Sequence, residues 1–448
     1  MTTDPVIIVG GGLSGLSAAV ALSSRGIPVT LFEQKPALGG RAYSFTDATA
    51  GETIDNGQHV LIAGYERTMK FLEAVGTRNL LKIQPRPEFL FHHPQKGFHR
   101  LSLPNLPPPL QLIFGILRCR LFSWPDRWNI LRAGRMLKSV DEREITDLTI
   151  DQWLDSAGQT VEAKRSFWEP LAVSIMNEHI ITASALVFAR SLQKAFLGGR
   201  KNASLAIPTI GLSEFYVHPA QRFIAMHRGT IACGADVVEI LDDGSRVTGV
   251  RLRGSGVVKG SGVIIAVQHS RMTQLLPKSL MHQPKFSAIE TVPTSPIVSV
   301  HLWFDSDDMA DEFVGLIGRR VQWLFNRRKI QNTGGTGGHV SAVISAADEF
   351  VGLTNDELIL LTMEDLRSAY PAFPDQPTHA MVIREKRATF SCTPATEQMR
   401  PPQRTPIQNL FLAGDWTDTG HPATIEGAIV SGERCADLVS ELLIREYV

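Results

Sequence analysis

The start of the chain alternates between apolar runs and turns in a regular order. Residues 6–9 (VIIV) are all apolar, which predicts a short buried strand. Apolar residues then recur at helical spacing as far as Gly26, and residues 29–32 predict a second strand that ends on Glu33. Strand, helix and strand in this order predict the opening of an α/β domain.

The turn between the first strand and the helix carries glycines at GxGxxG spacing. Gly10 allows a tight turn, Gly12 leaves bare backbone for a pyrophosphate, and Gly15 lets the helix pack close to the strand. Leu13 and Ser14 begin the helix, whose unpaired N–H groups and positive dipole end favour phosphate. This turn therefore predicts a phosphate-binding loop.

Glu33 completes the pattern, because a carboxylate at this point can accept hydrogen bonds from the two hydroxyls of a ribose. The glycine spacing alone is weak evidence, since glycines also mark ordinary turns. In the context of two strands, a helix and a terminal acid, it predicts a Rossmann-type dinucleotide-binding domain.

Composition narrows the class of protein. The 448 residues suggest two or three domains, and 45 basic residues against 45 acidic ones give no electrostatic reason to expect nucleic acid. We expect no signal peptide, since the first strand begins at once, and no membrane span, since no run of about 18 apolar residues occurs. The cysteines are scattered without metal-ligand spacing, which predicts reduced thiols, no metal site and a cytoplasmic location: Cys119, Cys233, Cys392 and Cys435.

The middle of the chain predicts two long insertions. Residues 126–215 carry apolar side chains at helical spacing, which fits either a helical core or the wall of a pocket for a long hydrocarbon. Residues 230–267 return to strands around a hairpin turn at Asp243 and Gly244, and residues 285–395 are again of strand character. We expect the glycine-rich stretch 334–338 to be a mobile loop without chemistry.

Residues 104–124 consist of a proline-rich segment followed by a strongly apolar stretch. We predict one strongly apolar helix after these prolines, interrupted by Arg118 and Arg120 and closed by Trp124. Basic and aromatic residues beside a short apolar helix suit the surface of a bilayer, so contact with the cytoplasmic membrane is one interpretation. A buried helix of a second domain is the other.

The end of the chain places polar residues after another buried strand. An apolar run leads into Gly414 and Asp415, and after a loop a helix is predicted to begin near Ala423, Thr424 and Ile425. The positive end of that helix dipole favours negative charge on a bound group.

These motifs resemble those of the flavin-containing amine oxidase and phytoene desaturase superfamily. Its members carry a GGR segment shortly after the acid of the second strand, here ending in Gly40 and Arg41, and a DxG segment near the flavin, here residues 55–59 (DNGQH). From its chemistry alone Arg41 could pair with a phosphate, beside glycines that let the backbone approach a ligand. The resemblance implies that FAD, rather than NAD, is the cofactor.

Further roles follow from this resemblance. It implies that Val238 meets the adenine through its backbone and that Asp415 contacts the ribityl chain or the pyrophosphate. The helix start at residues 423–425 would face the pyrimidine edge of the flavin. The chain would then divide into an FAD-binding domain and a discontinuous substrate domain of mixed sheet and helices: residues 1–85, 216–285 and 396–448 for the first, residues 86–215 and 286–395 for the second.

Within the superfamily, the chain resembles the hydroxysqualene dehydroxylases of bacterial squalene and hopanoid synthesis. The resemblance is carried by DNGQHVL, WEPL, REKRATF and GDWTDTG with PATIEGA, and it extends over nearly the whole chain. It implies a substrate pocket that includes Trp168, Leu171, Arg387 and His421, although an apolar residue is commoner in place of His421. The charged strand around Arg387 could equally be a solvated edge strand.

The family's reaction is the reductive removal of an allylic hydroxyl from hydroxysqualene, with hydride from reduced FAD and an unidentified electron donor. Hydroxide leaves poorly, so a proton donor must meet it, and apolar walls must exclude water. We predict His59 as the donor, with Glu426 second, because both stand in segments expected near the flavin. The alternatives are a carotenoid-type desaturase, a flavin amine oxidase, and a non-catalytic FAD-bound subunit of an isoprenoid pathway.

Overall fold

The computed structural model describes residues 4–254, 256–332 and 337–447, so most of the glycine-rich stretch 334–338 lies outside the described residues. The strands are β1 (Val6–Val9), β2 (Val29–Glu33), β3 (Ser44–Thr46), β4 (Thr53–Asp55), β5 (Leu61–Ile62), β6 (Leu81–Ile83), β7 (Glu88–His93), β8 (Gly97–Ser102), β9 (Leu205–Pro208), β10 (Thr230–Cys233), β11 (Val237–Asp242), β12 (Val247–Leu252), β13 (Val257–Lys259), β14 (Gly262–Ile265), β15 (Thr294–Phe304), β16 (Phe313–Leu316), β17 (Trp323–Asn326), β18 (Gly338–Ile344), β19 (His379–Phe390) and β20 (Leu410–Leu412).

The helices alternate with these strands in the first and last parts of the chain and dominate the middle. They are α1 (Leu13–Ser24), α2 (Glu66–Val75), α3 (Leu110–Arg118), α4 (Trp124–Lys138), α5 (Glu142–Ile145), α6 (Ile150–Ser156), α7 (Val161–Ala163), α8 (Glu169–Met176), α9 (Ala185–Leu192), α10 (His218–Met226), α11 (His269–Leu275), α12 (Lys278–Met281), α13 (Pro284–Ser287), α14 (Arg327–Gln331), α15 (Asn355–Ala369), α16 (Pro394–Met399) and α17 (Ile425–Tyr447).

We call the part of the fold built around the five-stranded parallel sheet the first unit, and the part built around the seven-stranded sheet the second unit. The strands of the parallel sheet lie in the order β10, β2, β1, β14, β20. All four residues of β1 and of β14 are buried, as expected for strands covered on both faces. The last residue of β1, Val9, is in register with Phe32 of β2 and Ile265 of β14. The carboxyl ends of the strands therefore meet at one edge, where ligands bind in open α/β sheets.

A seven-stranded mixed sheet organises the second unit, in the order β19, β15, β18, β17, β16, β7, β8. Strands β7 and β8 come from the first predicted insertion and the other five from the second, and β7 joins β16 in parallel. Strand β9 departs from the predicted boundary at residue 215. It pairs with β5 and β6, which lie in the segment expected to bind FAD.

Two predictions of local structure are wrong. The single helix predicted within residues 104–124 ends at Arg118, where Cys119 turns to extended backbone. A second helix, α4, begins at Trp124, because Ser123 caps it by accepting a hydrogen bond from the backbone N–H of Asp126. Residues 285–395 are not strand throughout, since α15 begins with a capping box formed by Thr354 and Glu357. Within the described residues, no helix has both the length and the apolar composition needed to cross a bilayer.

The contact between α1 and α17 depends on Gly432. A Cβ atom there would lie 2.1 Å from both the carbonyl oxygen of Ser14 and Oγ of Ser17. We expect Gly432→Val to lower the free energy of unfolding by about 1–3 kcal/mol through overpacking. Thermal unfolding measures this effect. Gly134→Ala is the matched helical control, because its new Cβ would meet no atom closer than 4.0 Å. Equal stability of both variants would contradict the analysis.

Candidate functional site

The carboxyl end of β1 turns directly into α1 with almost no space between them. Gly10 has a φ of +112°, and a Cβ on Gly15 would lie 2.0 Å from the Gly10 carbonyl oxygen. Only glycine fits at both positions without moving the backbone. The sequence thus brings the N-terminus of α1 to the edge where the parallel strands end.

The start of α1 is left free of side-chain capping groups. Gly12 occupies the N-cap without a side-chain hydrogen bond, and no acidic residue lies in the first turn, which includes Leu13 and Ser14. A Cβ on Gly12 would meet nothing closer than Cα of Gly40, at 4.0 Å. Bare backbone, open space and uncapped N–H groups are the features that a pyrophosphate requires.

Glu33 lies buried at the end of β2, within the same edge. Its carboxylate accepts hydrogen bonds from the backbone N–H of Gly11 at 2.7 Å and of Lys35 at 2.8 Å. These bonds fix the carboxylate and leave lone pairs for further donors such as ribose hydroxyls. The backbone carbonyl of Glu33 also accepts from Ala235, two residues before β11, the strand that carries Val238.

Residues 39–41 and 55–59 lie side by side next to this turn. The backbone N–H of Gly39 donates to Gly11, and a Cβ on Gly40 would lie 3.1 Å from Cα of Gly12. Asn56 donates through Nδ2 to the backbone carbonyl of Arg41 at 2.9 Å. The two segments that carry the superfamily resemblance therefore form one surface with the glycine turn.

Arg41 has a different partner from the one expected from its chemistry alone. Its guanidinium forms an ion pair with Asp415 at 2.7 Å and donates to the backbone carbonyl of Ala388, also at 2.7 Å. Asp415 follows β20 and Gly414, so this pair links the GGR segment to the last strand of the parallel sheet. That Arg41 also contacts a phosphate stays a prediction.

His59 is half-buried and hydrogen-bonded within its own segment. Its Nδ1 lies 2.9 Å from the carbonyl oxygen of Gly57. Burial lowers the pKa of His59 below 6.5, so the ring is neutral near pH 7. In that state Nδ1–H donates to Gly57 and Nε2 is an acceptor, so His59 must first gain a proton before it can serve as the predicted donor.

Glu426 is occupied in a way that fits the predicted donor role poorly. Its carboxylate accepts from the backbone N–H of Arg67 at 3.1 Å, the backbone N–H of Thr68 at 2.8 Å and the Thr68 hydroxyl at 2.7 Å. It thereby satisfies the first turn of α2 from the first turn of α17. The start of α17 itself lies where the sequence predicts, with Oγ1 of Thr424 accepting from Gly427 and Ala423 just before it.

The residues predicted to line the substrate pocket differ in their surroundings. Trp168 is buried in the helical core against Phe167 and Phe188, and its Nε1–H donates to Gln159. That Trp168 lines a pocket stays a prediction, because a buried aromatic side chain can belong to the core or to the wall of an apolar pocket. Leu171 packs partly buried against the same core.

Arg387 and His421 lie outside the helical core that contains Trp168 and Leu171. Arg387 is exposed on β19, which is an edge strand of the seven-stranded sheet, and its place in a substrate pocket stays a prediction. Nε2 of His421 lies 2.9 Å from Nζ of Lys194. Burial, reinforced by the charge of Lys194, lowers the pKa of His421 to about 3, so the ring is neutral and accepts from the lysine.

Sequence analysis missed Arg327, which joins α14 of the second unit to the end of β4. Its buried guanidinium pairs with Asp55 at 2.9 Å and donates to the side chain of Gln58. A run of basic residues after a strand normally indicates solvated surface, so no local pattern marks Arg327 as a buried anchor of residues 55–59.

These residues fit FAD. The open backbone around Gly12 and Gly40 suits the pyrophosphate, and the fixed Glu33 carboxylate suits the adenosine ribose. Asp415 and the start of α17 lie at the far end of the same edge, where the rest of the cofactor would extend. Fold and site together define a Rossmann-type flavoprotein.

Comparisons with known proteins agree with this class. The model of the family described as flavin containing amine oxidoreductase matches residues 13–440. The chain is 30% identical over 445 residues to a hydroxysqualene dehydroxylase of Rhodopseudomonas palustris (97% of this chain, 98% of the relative). It is 28% identical over 453 residues to one of Sinorhizobium fredii (97% of each). A 15-cis-phytoene desaturase of Glycine max is 26% identical over 98% of this chain and 80% of its own length.

Among solved structures, an oxidoreductase from Methanosarcina mazei superposes with a TM-score of 0.75 at 17% identity, covering 97% of this chain and all of the other. At that identity the likeness shows the fold alone. The chain belongs to the flavin-containing amine oxidoreductase family and is an FAD-dependent oxidoreductase. The predicted α/β fold class, the FAD cofactor and the resemblance to hydroxysqualene dehydroxylases are thereby confirmed.

The position of Glu426 generates a test of its role. Glu426→Gln would turn an amide toward the donors of α2, and we expect the free energy of unfolding to fall by about 1–3 kcal/mol. The pH dependence of turnover should not change. Glu433→Gln is the control on the same helix, since it loses only a pair with the Arg67 side chain and should cost less than about 1 kcal/mol. An unchanged melting temperature with a shifted pH profile would restore Glu426 as a proton donor.

Proposed function

We propose that the protein catalyses the reductive dehydroxylation of hydroxysqualene to squalene. The observation that carries this proposal is the 30% identity, over 97% of the chain, to a hydroxysqualene dehydroxylase. The site is compatible with it, because the residues suited to FAD are brought together by both units of the fold. The substrate would be a long isoprenoid, and a two-electron reductant of unidentified nature would reduce the flavin.

The reaction requires one hydride and one proton for each hydroxyl removed. Bound FAD, when reduced, supplies the hydride for the allylic carbon. The C–O bond breaks, the proton goes to the departing oxygen, and the products are squalene and water. The protein must bring a proton to the hydroxyl and keep other water away from the allylic cation.

The helical part of the chain supplies the apolar surroundings. Helices from α3 to α9 contribute to a large buried apolar cluster, which includes Trp153 and Phe188 and continues into strands of the parallel sheet. His59 is our candidate for the group nearest the leaving hydroxyl, since its segment bonds to the GGR segment through Asn56 and its ring is close enough to Arg41 for the two charges to interact. A neutral His59 with a free Nε2 would position the hydroxyl as a hydrogen-bond acceptor and, once protonated, would donate to it.

The decisive experiment is anaerobic. The holoenzyme is reduced with dithionite and mixed with hydroxysqualene, and flavin absorbance is followed together with extracted products. We expect the flavin to reoxidise as squalene accumulates in a 1:1 ratio. His59→Phe should retain FAD and lower the rate at least about tenfold.

The phytoene desaturase relatives make oxidative desaturation the second candidate. Flavin that stays reduced with hydroxysqualene, while the oxidised enzyme bleaches with phytoene, would contradict our proposal and establish the desaturase instead. A protein that shows neither reaction would be consistent with a non-catalytic subunit.

We propose further that α3 and α4 contact the cytoplasmic membrane surface. Leu110 and Phe114 on α3 are 43% and 40% exposed, and Trp124 and Trp128 on α4 are 62% and 63% exposed. The guanidinium of Arg127 lies 4.5 Å from the Trp124 ring centroid. Exposed aromatic side chains with adjacent arginines are suited to the headgroup region of an anionic bilayer.

This contact can be measured by sedimentation with vesicles of phosphatidylcholine and phosphatidylglycerol. We expect the protein to sediment with these vesicles and the Trp124→Ser, Trp128→Ser double variant to remain in solution, since it loses both interfacial anchors. Met226→Ser, which changes a 73% exposed side chain on α10, is the control and should still sediment. Equal binding by all three proteins would refute the assignment of this surface.

A further inference from the structure

A row of three titratable groups, here called the proton row, crosses β15 and β18 beside the candidate site. The carboxylate of Glu52 lies 3.3 Å from Nδ1 of His339, and Nε2 of His339 lies 3.1 Å from Nδ1 of His301. Both histidines are almost completely buried, whereas the Glu52 side chain is 26% exposed. The proton row therefore leads from a partly exposed carboxylate into the interior of the protein.

The inner end of the proton row is a ring nitrogen without a hydrogen-bond partner. Nε2 of His301 is buried and has no partner at hydrogen-bond geometry, although the ring faces the backbone of Asp55. A buried polar atom without a partner is uncommon and calls for an explanation. Here the explanation lies in the number of protons shared by the three groups of the proton row.

The hydrogen bonds can be counted for each protonation state. With Glu52 ionised, Nδ1–H of His339 donates to the carboxylate, and Nε2 of His339 accepts from Nδ1–H of His301. Nε2 of His301 is then a lone pair facing a backbone carbonyl. One additional proton on that nitrogen would turn it into a donor to the same carbonyl. The proton row can thus take up one exchangeable proton at its inner end, on Nε2 of His301.

The inner end lies against the segment that carries His59. Asp55 begins residues 55–59, and the hydroxyl of Ser299 on β15 would lie 3.2 Å from a Cβ on Gly57. Asn56 in turn bonds to Arg41, which pairs with Asp415. Proton movement at His301 would therefore occur next to the candidate flavin surface.

We propose that Glu52, His339 and His301 form a proton relay that supplies residues 55–59 from the solvent side. The proposal rests on the proposed dehydroxylation, which consumes one proton per turnover. A proton enters at Glu52, passes across the ring of His339 to that of His301, and is passed on from there to Nε2 of neutral His59, which becomes protonated and donates to the leaving hydroxyl. Only O–H and N–H bonds form and break along this path, so no oxidant or reductant takes part. Since the three residues act through another group, they are positioning residues rather than catalytic ones.

The charged groups around the relay determine when it carries a proton. Arg327 and Arg328 of α14 face it from one side, and both arginines disfavour an added positive charge on His339. Asp55 faces His301 through its backbone, and His379, paired with Asp47, lies behind the ring of Trp303, which stacks on His339.

Burial is the main cause that lowers the pKa of His301 and of His339 below 6.5, and the hydrogen bond from His339 lowers the pKa of Glu52 to about 2. Because the histidine pKa values are lowered, the relay holds its extra proton only as pH falls below 6.5. A rate that depends on the relay should therefore rise as pH falls.

Stopped-flow reoxidation of reduced holoenzyme by hydroxysqualene between pH 5 and 9 tests the relay. In the wild type we expect the rate to fall about tenfold for each unit of pH above the pKa of the relay. His339→Gln and His301→Gln should retain FAD, lose this pH-dependent limb and react at least about tenfold more slowly at pH 6. The control is His227→Gln, which changes an exposed histidine stacked on Phe223 and should keep the wild-type profile.

A second measurement needs no substrate. In the oxidised holoenzyme labelled with ¹⁵N-histidine, we expect Nε2 of His301 to change from an unprotonated to a protonated shift as pH falls below 6.5. A wild-type pH profile in His339→Gln, or an Nε2 that stays unprotonated down to pH 4.5, would overturn the relay. If the wild type fails to react with hydroxysqualene at any pH, the proposed function fails, while the imidazole titration still supports or overturns proton uptake at His301.

Discussion

The backbone at the end of β1 and the backbone at the start of α1 approach too closely for any side chain to separate them. Because Gly10 and Gly15 permit this approach, the uncapped first turn of α1 points at the common edge of the parallel strands. Gly39 can then bond to Gly11, and the following Arg41 reaches Asp415 beyond β20. The surface suited to FAD is a consequence of this single constraint.

The two units of the fold are held together at that surface by buried polar contacts rather than by apolar packing alone. Arg327 of the second unit pairs with Asp55, and both side chains are nearly inaccessible. Removing either partner would leave a buried charge without compensation, which typically costs about 3–5 kcal/mol. The segment that carries His59 is therefore positioned by residues from both units, which explains why the candidate site cannot be assigned to the nucleotide-binding unit alone.

Local patterns predicted the elements whose geometry is dictated locally. The strand, glycine turn and acid at the start of the chain were predicted because each follows from a backbone requirement, and the hairpin at Asp243 follows from turn chemistry. The division between α3 and α4 was missed although Ser123 and Pro125 form a helix-start signal. The sequence cannot assign Trp168 to the core or to a pocket wall, because both use the same residue types. Arg327 could not be found because its partner lies 272 positions away.

The central claim is that reduced flavin delivers hydride to the allylic carbon of hydroxysqualene. The most direct measurement is to reduce the holoenzyme in D₂O, where the transferable hydrogen of the reduced flavin exchanges with solvent, and to analyse the squalene by mass spectrometry. The account predicts squalene that carries one deuterium at the carbon that lost its hydroxyl. Unlabelled squalene, or no squalene while the flavin stays reduced, would contradict it.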